Sequence, residues 1–128
     1  MEKTLGFLKK TLIVGVNSEI GKTLLDIYFQ KNYECIGTFN KHLPSNEIKN
    51  KCIDLLECDL RTNSGIENLL NFSEQYQPHN IIYLPGYVDE KNLANNSLDS
   101  IQNTFNANIF AFWLLISKTS PYMKKNNY

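Results

Sequence analysis

Short runs of apolar residues alternate along this chain with longer stretches in which apolar positions recur every three or four residues. The short runs are typical of strands buried on both faces, and they fall at residues 11–16, 33–39, 52–56 and 79–84. The periodic stretches predict helices at residues 20–30, 44–47, 63–76 and 97–121, the last one stopping near Pro121. Strands and helices in this alternation predict an α/β fold, a doubly wound parallel sheet in three layers with about four strands and four helices.

Composition limits the classes of partner. The chain has 128 residues, and its 13 basic and 13 acidic side chains cancel, so we expect no nucleic acid and no anionic membrane surface as a partner. No apolar run approaches the ~20 residues of a spanning helix, and the first residues lack a signal-peptide pattern. We therefore expect a cytoplasmic protein built as a single domain over residues 1–128.

The cysteines are odd in number and lack the paired spacing of metal ligands. Cys35 and Cys58 lie in strand-like runs, where free cysteine packs as a small apolar side chain. We expect these two and Cys52 to be reduced, mostly buried thiols, and we expect no metal.

A glycine-containing turn, Gly-Val-Asn-Ser-Glu-Ile-Gly at residues 15–21, joins the first strand to the first helix. Gly15 permits a tight turn, Gly21 lets the helix pack closely on the sheet, and the helix start offers open N–H groups to a pyrophosphate. In such sheets ligands bind beyond the carboxyl ends of the strands, where the strand order reverses. The candidate cofactor-binding residues are Gly15, Asn17, Ser18, Glu19, Ile20, Gly21, Asn40, Lys41, Asp59, Leu60, Pro85 and Gly86.

At this turn the sequence resembles the short-chain dehydrogenase/reductase family, whose turn reads Gly-x-x-x-Gly-x-Gly, although Glu19 stands where the family usually has its middle glycine. Asp59-Leu60 is similar to the family's acidic–apolar pair, which implies a contact of Asp59 with adenine, while a cap on the following turn explains Asp59 equally well. Of the Asn-Asn-Ala-Gly that ends the family's fourth strand only Gly86 is present. The resemblance implies the N-terminal, Rossmann-like half of a family member, truncated at its C-terminal end.

The segment from Phe105 to Ala111 is similar to a family helix that carries a functional asparagine. An asparagine on an apolar helical face is costly unless its amide is paired. The resemblance implies that Asn108 holds a water in the proton relay behind the catalytic lysine. We expect Asn108 to have this catalytic role and Asn106 to face solvent.

The end of the second strand bears on the choice of cofactor. It carries no carboxylate for a ribose 2′-hydroxyl, and Lys41 can pair with a 2′-phosphate, which favours NADP over NAD. The resemblance implies an NAD(P)-dependent oxidoreductase that transfers a hydride between the nicotinamide and a small carbonyl or alcohol substrate. The family's serine, tyrosine and lysine follow a fifth strand that has no counterpart here. We interpret the Tyr-x-x-x-Lys string from Tyr87 to Lys91 as accidental, so whether the chain is an enzyme stays open.

Two other functions remain open on the same fold. One is a nucleotide-binding or regulatory module without redox chemistry, and the other is an interaction domain that lost its ligand, which Glu19 and the missing Asn-Asn-Ala favour. A fourth strand at an open edge and the apolar face around Phe110, Phe112, Trp113 and Leu115 also predict a homo-oligomer.

Overall fold

The computed structural model describes residues 9–86 and 97–128. The string from Tyr87 to Lys91 therefore lies outside the described residues, as do the first eight residues. The strands are β1 Lys10–Val14, β2 Glu34–Phe39, β3 Cys52–Glu57 and β4 Asn80–Tyr83. The helices are α1 Glu19–Gln30, α2 Asn46–Lys51, α3 Asn63–Tyr76, α4 Leu98–Phe105 and α5 Ala111–Lys125, with a π-helical turn at Asn106–Phe110 between the last two.

The four strands form one parallel sheet in the order β3-β2-β1-β4, which confirms the predicted fold class. Along β1, Leu12 pairs with Ile36 of β2 on one side and with Ile81 of β4 on the other. The chain crosses from β3, at one edge of the described sheet, to β4 at the other. The strand order thus reverses at β1, and a crevice opens there between the loops that follow β1 and β4.

Helices cover both faces of the sheet because side chains alternate along the strands. Leu12 and Val14 point to one face and pack in one core cluster with Leu69 of α3 and Leu115 of α5. Ile13 points to the other face, with Leu25 of α1 among its neighbours. The three layers agree with the prediction, whereas Leu115, expected on an exposed apolar face, is wholly buried.

Four helices begin at a serine or threonine whose hydroxyl accepts a hydrogen bond from the backbone N–H three residues later. These caps leave fewer unpaired N–H groups at each helix start and set where each helix begins. The capping residues are Ser18 for α1, Ser45 for α2, Thr62 for α3 and Ser97 for α4.

The last helical region departs from the prediction in two ways. It is interrupted by the π-helical turn, and it does not stop near Pro121 but runs on to Lys125, with Pro121 inside α5. Tertiary contacts outweigh the local effect of the proline, because the Tyr122 hydroxyl donates to the Pro78 carbonyl at 3.2 Å. The Tyr128 ring also stacks on His79, with the ring centres 4.0 Å apart.

Cys35 and Cys58 are buried and Cys52 is half-buried, and all three are free thiols. Burial raises the pKa of Cys35 and of Cys58 to about 11 and that of Cys52 to about 12. These thiols stay protonated at neutral pH, which confirms their structural interpretation. Among residues 9–86 and 97–128 no cluster of potential metal ligands is found, and no helix is long and apolar enough to cross a membrane.

Candidate functional site

A cavity of about 450 Å³ lies at the carboxyl edge of the sheet, where the strand order reverses. Its volume falls within the range of small-molecule and cofactor sites. All four strand ends contribute to its walls, together with one residue of the π-helical turn. The lining residues are Gly15, Asn17, Ser18, Thr38, Phe39, Asn40, Lys41, Cys58, Asp59, Leu60, Arg61, Leu84, Pro85, Gly86 and Ala107.

The turn after β1 needs its two glycines for different reasons. Gly15 has a φ of +90°, a backbone conformation that is strained in any residue with a side chain. A Cβ on Gly21 would lie 2.5 Å from the Gly15 carbonyl oxygen and 2.7 Å from that of Val16. Gly21 therefore lets α1 pack directly on the turn, as the sequence predicts.

The amides of this turn fall into two groups. The N–H groups of Ser18 and Gly21 are used within the turn, since they donate to the Gly15 carbonyl and to the Ser18 hydroxyl. In the described part of the chain, the N–H groups of Asn17, Glu19 and Ile20 donate to no protein acceptor. Three amides at the positive end of the α1 dipole are thus available to an anion.

Nine of the twelve candidate cofactor-binding residues line the cavity, and three do not. Gly21 is buried where the first turn of α1 packs on the β1 turn, whereas the side chains of Glu19 and Ile20 are exposed, Ile20 to 63%. Glu19 does not have a positive φ, so the backbone at this position does not require the glycine that the resemblance leads one to expect. Its backbone N–H is nevertheless one of the three open amides at the start of α1.

The loop after β2 is held by an unusual turn. Lys41 has a φ of +67°, and the His42 N–H donates to the Asn40 carbonyl at 2.8 Å, which together define a γ-turn of the strained kind. The Asn17 side-chain amide donates to the His42 carbonyl at 3.0 Å. The β1 turn and the β2 loop are therefore joined by a side chain that was predicted to bind cofactor.

The end of β3 carries an ion pair. The Arg61 guanidinium donates to both Asp59 carboxylate oxygens, at 2.9 and 2.8 Å, and the Arg61 N–H donates to one of them at 3.0 Å. These hydrogen bonds to Arg61 lower the pKa of Asp59. Asp59 does cap its own turn, as the alternative interpretation holds, while Thr62 rather than Asp59 caps α3. An adenine contact of Asp59 stays a prediction.

The two asparagines of the last helical region exchange the environments expected of them. Asn106 is 6% exposed, its amide donates to the Arg61 carbonyl at 2.8 Å, and its oxygen accepts from Gln102 at 3.0 Å. Asn108 is exposed. The π-helical turn explains the exchange, because it places one extra residue in the turn and so rotates the face that meets the sheet. The role of Asn108 stays a prediction.

Six lining residues are not among the twelve candidates, although Cys58 and Leu84 lie at strand ends where a ligand site was expected. The Thr38 hydroxyl accepts from the Gly15 N–H at 3.2 Å, and the Tyr83 hydroxyl beside the cavity donates to the Ala107 carbonyl. Arg61 carried a usable signal, since an arginine two residues after an aspartate at a strand end can pair with it. The six residues are Thr38, Phe39, Cys58, Arg61, Leu84 and Ala107.

No protein-family model matches the sequence, and no curated protein matches it at a significant level. Solved structures do match. An alcohol dehydrogenase from Comamonas testosteroni, specific for bulky-bulky ketones, superposes with a TM-score of 0.82 at 15% identity, covering 93% of this chain and 51% of that chain.

Two similar structures contain a cofactor. A 4-hydroxyisoleucine dehydrogenase complexed with NADH has a TM-score of 0.76 at 19% identity, covering 92% of this chain and 50% of that chain. A blue fluorescent protein from a metagenomic library, in complex with NADPH, has a TM-score of 0.74 at 15% identity, covering 88% and 50%. The chain spans about half the length of these structures, and identities this low establish the fold alone. This chain therefore has the fold of the N-terminal Rossmann half of short-chain dehydrogenase/reductase structures.

Proposed function

We propose that this chain binds a nicotinamide dinucleotide in the cavity at the carboxyl edge of the sheet. The observation that carries the proposal is the set of open amides at Asn17, Glu19 and Ile20, at the positive end of the α1 dipole and in the turn beside the cavity. An NADH complex and an NADPH complex among structures of the same fold support this class of ligand.

Charge in the cavity favours NADP over NAD. The charged lining residues are Lys41, Asp59 and Arg61, and the ion pair of Arg61 with Asp59 leaves Lys41 as the excess positive charge. A lysine ammonium at the end of β2 can donate to a ribose 2′-phosphate through charge-assisted hydrogen bonds. No carboxylate follows β2 to accept a hydrogen bond from a 2′-hydroxyl.

We further propose that the chain contributes to an NAD(P)-dependent oxidoreductase acting on a small carbonyl or alcohol substrate. The bound dinucleotide would supply the hydride chemistry. The chain itself would bind the pyrophosphate at the α1 terminus and orient the dinucleotide between Leu84, Pro85 and the β1 turn. Asn108 would hold a water for proton transfer, and its place in a π-helical turn, a feature frequent at functional sites, supports this role.

Calorimetric titration of the chain with NADP, NAD and ATP tests the binding proposal. We expect both dinucleotides to bind, NADP the more tightly, and Lys41→Ala to remove most of that preference. Glu19→Gly is the matched comparison at the same turn and should keep or increase the affinity for both. Absence of binding by the chain and by Glu19→Gly would contradict the proposal and favour the interaction domain.

We also propose a homo-oligomer in the cytoplasm. Exposed apolar side chains on α5 and the π-helical turn support association, among them Trp113, which is 67% exposed. Sedimentation velocity over a range of concentrations tests it, and a single monomeric species at the highest concentration would overturn it.

A further inference from the structure

A side-chain hydrogen bond joins the loop of the Lys41 γ-turn to the β1 turn. The Asn17 amide reaches across 25 positions in sequence to the His42 carbonyl, at 3.0 Å. The next bond along the chain, from the His42 N–H to the Asn40 carbonyl, closes the γ-turn. Asn17 thus holds the His42–Leu43 peptide, which directly follows the Lys41–His42 peptide whose N–H closes the γ-turn.

The local gain from the Lys41 conformation is the γ-turn hydrogen bond between His42 and Asn40. A positive φ costs a lysine energy, and strain of this kind persists only when the surroundings enforce it, commonly at ligand sites. Lys41 lines the cavity, and its charge lies near enough to act on Asp59, which follows the neighbouring strand β3. The strained turn therefore places a cation beside the pocket.

We infer that Asn17 is a positioning residue for cofactor choice, which holds Lys41 where it meets the 2′-phosphate and does not itself contact that phosphate. This inference rests on the proposed binding of NAD(P). A side chain that touched only the pyrophosphate would act alike on NADP and NAD, because both contain that group. A residue that acts through Lys41 affects NADP alone.

Titration of the full chain with NADP and with NAD, for each variant, tests the inference. We expect Asn17→Ala to weaken NADP binding about five- to tenfold, within the range for losing one ordinary hydrogen bond, with little change for NAD. In the Asn17→Ala/Lys41→Ala double variant, the ratio of the two affinities should equal that of Lys41→Ala alone, since the two residues would act through one contact.

Two further variants control for the loss of any surface hydrogen bond and for misfolding. Thr23→Ala removes an exposed side-chain bond of similar length, from the Thr23 hydroxyl to the Glu19 carbonyl, and should leave the ratio unchanged. If Asn17→Ala does not fold, Asn17→Leu, which keeps most of the side-chain volume and has neither a donor nor a charge, should lower the NADP preference.

The outcomes distinguish the role of Asn17 from dinucleotide binding itself. Equal weakening of both cofactors by Asn17→Ala and Asn17→Leu, or no change in either, overturns the role of Asn17 and leaves dinucleotide binding intact. Failure of the unaltered chain to bind either cofactor overturns both the proposed function and this inference.

Discussion

The two edges of the sheet differ in how completely their polar groups are paired. At the amino edge the Lys10 N–H donates to His79 Nδ1 at 3.0 Å, and the Tyr122 hydroxyl donates to the Pro78 carbonyl. At the carboxyl edge the amides of Asn17, Glu19 and Ile20 donate to no acceptor in the described part of the chain, and they lie beside a cavity. Open amides at the positive end of a helix dipole attract an anion, so this edge has the character of an anion-binding surface.

Residues with a left-handed backbone conformation also differ between the two edges. Gln77 is the C-cap of α3, and Asn32 follows the C-cap of α1, so both end helices in the usual manner. Lys41 ends no helix and lies at the cavity. The same backbone conformation therefore ends helices at the amino edge, whereas at the carboxyl edge it closes a γ-turn beside the cavity.

The largest expected effect comes from the tightest backbone contact at the carboxyl edge. Gly21→Ala should destabilise the chain by about 3 kcal/mol, because the new methyl group would overlap two carbonyl oxygens of the β1 turn. The matched control is Gly86→Ala, whose Cβ would meet nothing within 4 Å and should change stability by less than about 0.5 kcal/mol. Urea denaturation measures both, and equal midpoints would show that the contact can relax.

The next effect separates the two asparagines. Asn106→Ala should cost about 2 kcal/mol, since it empties a buried position and removes the hydrogen bonds of Asn106 with the Arg61 carbonyl and the Gln102 amide. Asn108→Ala, at an exposed position, should cost clearly less in the same urea experiment. The reverse order of costs would mean that the π-helical turn does not present Asn106 to the core.

A smaller effect of opposite sign is expected at Lys41. Lys41→Gly should raise the free energy of unfolding by about 1 kcal/mol through relief of the positive φ, while it weakens NADP binding. Asn32→Gly is the control, because asparagine tolerates this conformation, and it should change neither property much. A Lys41→Gly variant that loses stability would show that the turn is not strained.

The smallest effect is a pH dependence at the amino edge. Burial first, and then the charges of Lys10 and Lys9, lower the pKa of His79 below its usual 6.5. The neutral ring is therefore favoured by folding, and its stabilising effect is complete above pH 6.5 and is lost as the pH falls through the lower, folded value. Urea denaturation from pH 7.5 to 5 measures this loss, which should be reduced in His79→Asn. An unchanged pH profile in that variant would assign the dependence to other groups.

The pattern of apolar positions was enough to predict every strand, the helices α1 to α3 and the parallel sheet, because period and capping are local properties of the chain. Gly15 and Gly21 could be assigned to the turn for the same reason. Nine candidate residues line the cavity because topology alone brings strand ends together.

Only the tertiary structure decided which polar groups meet. The bond of Asn17 to His42, the pairing of Asn106 with the Arg61 carbonyl and the continuation of α5 through Pro121 all depend on contacts between distant parts of the chain. A local pattern carries no record of such pairings, because each depends on the angle at which two separately formed elements pack. The amino-acid sequence thus determined where a ligand would approach, and the packing of the elements decided which side chains it would meet.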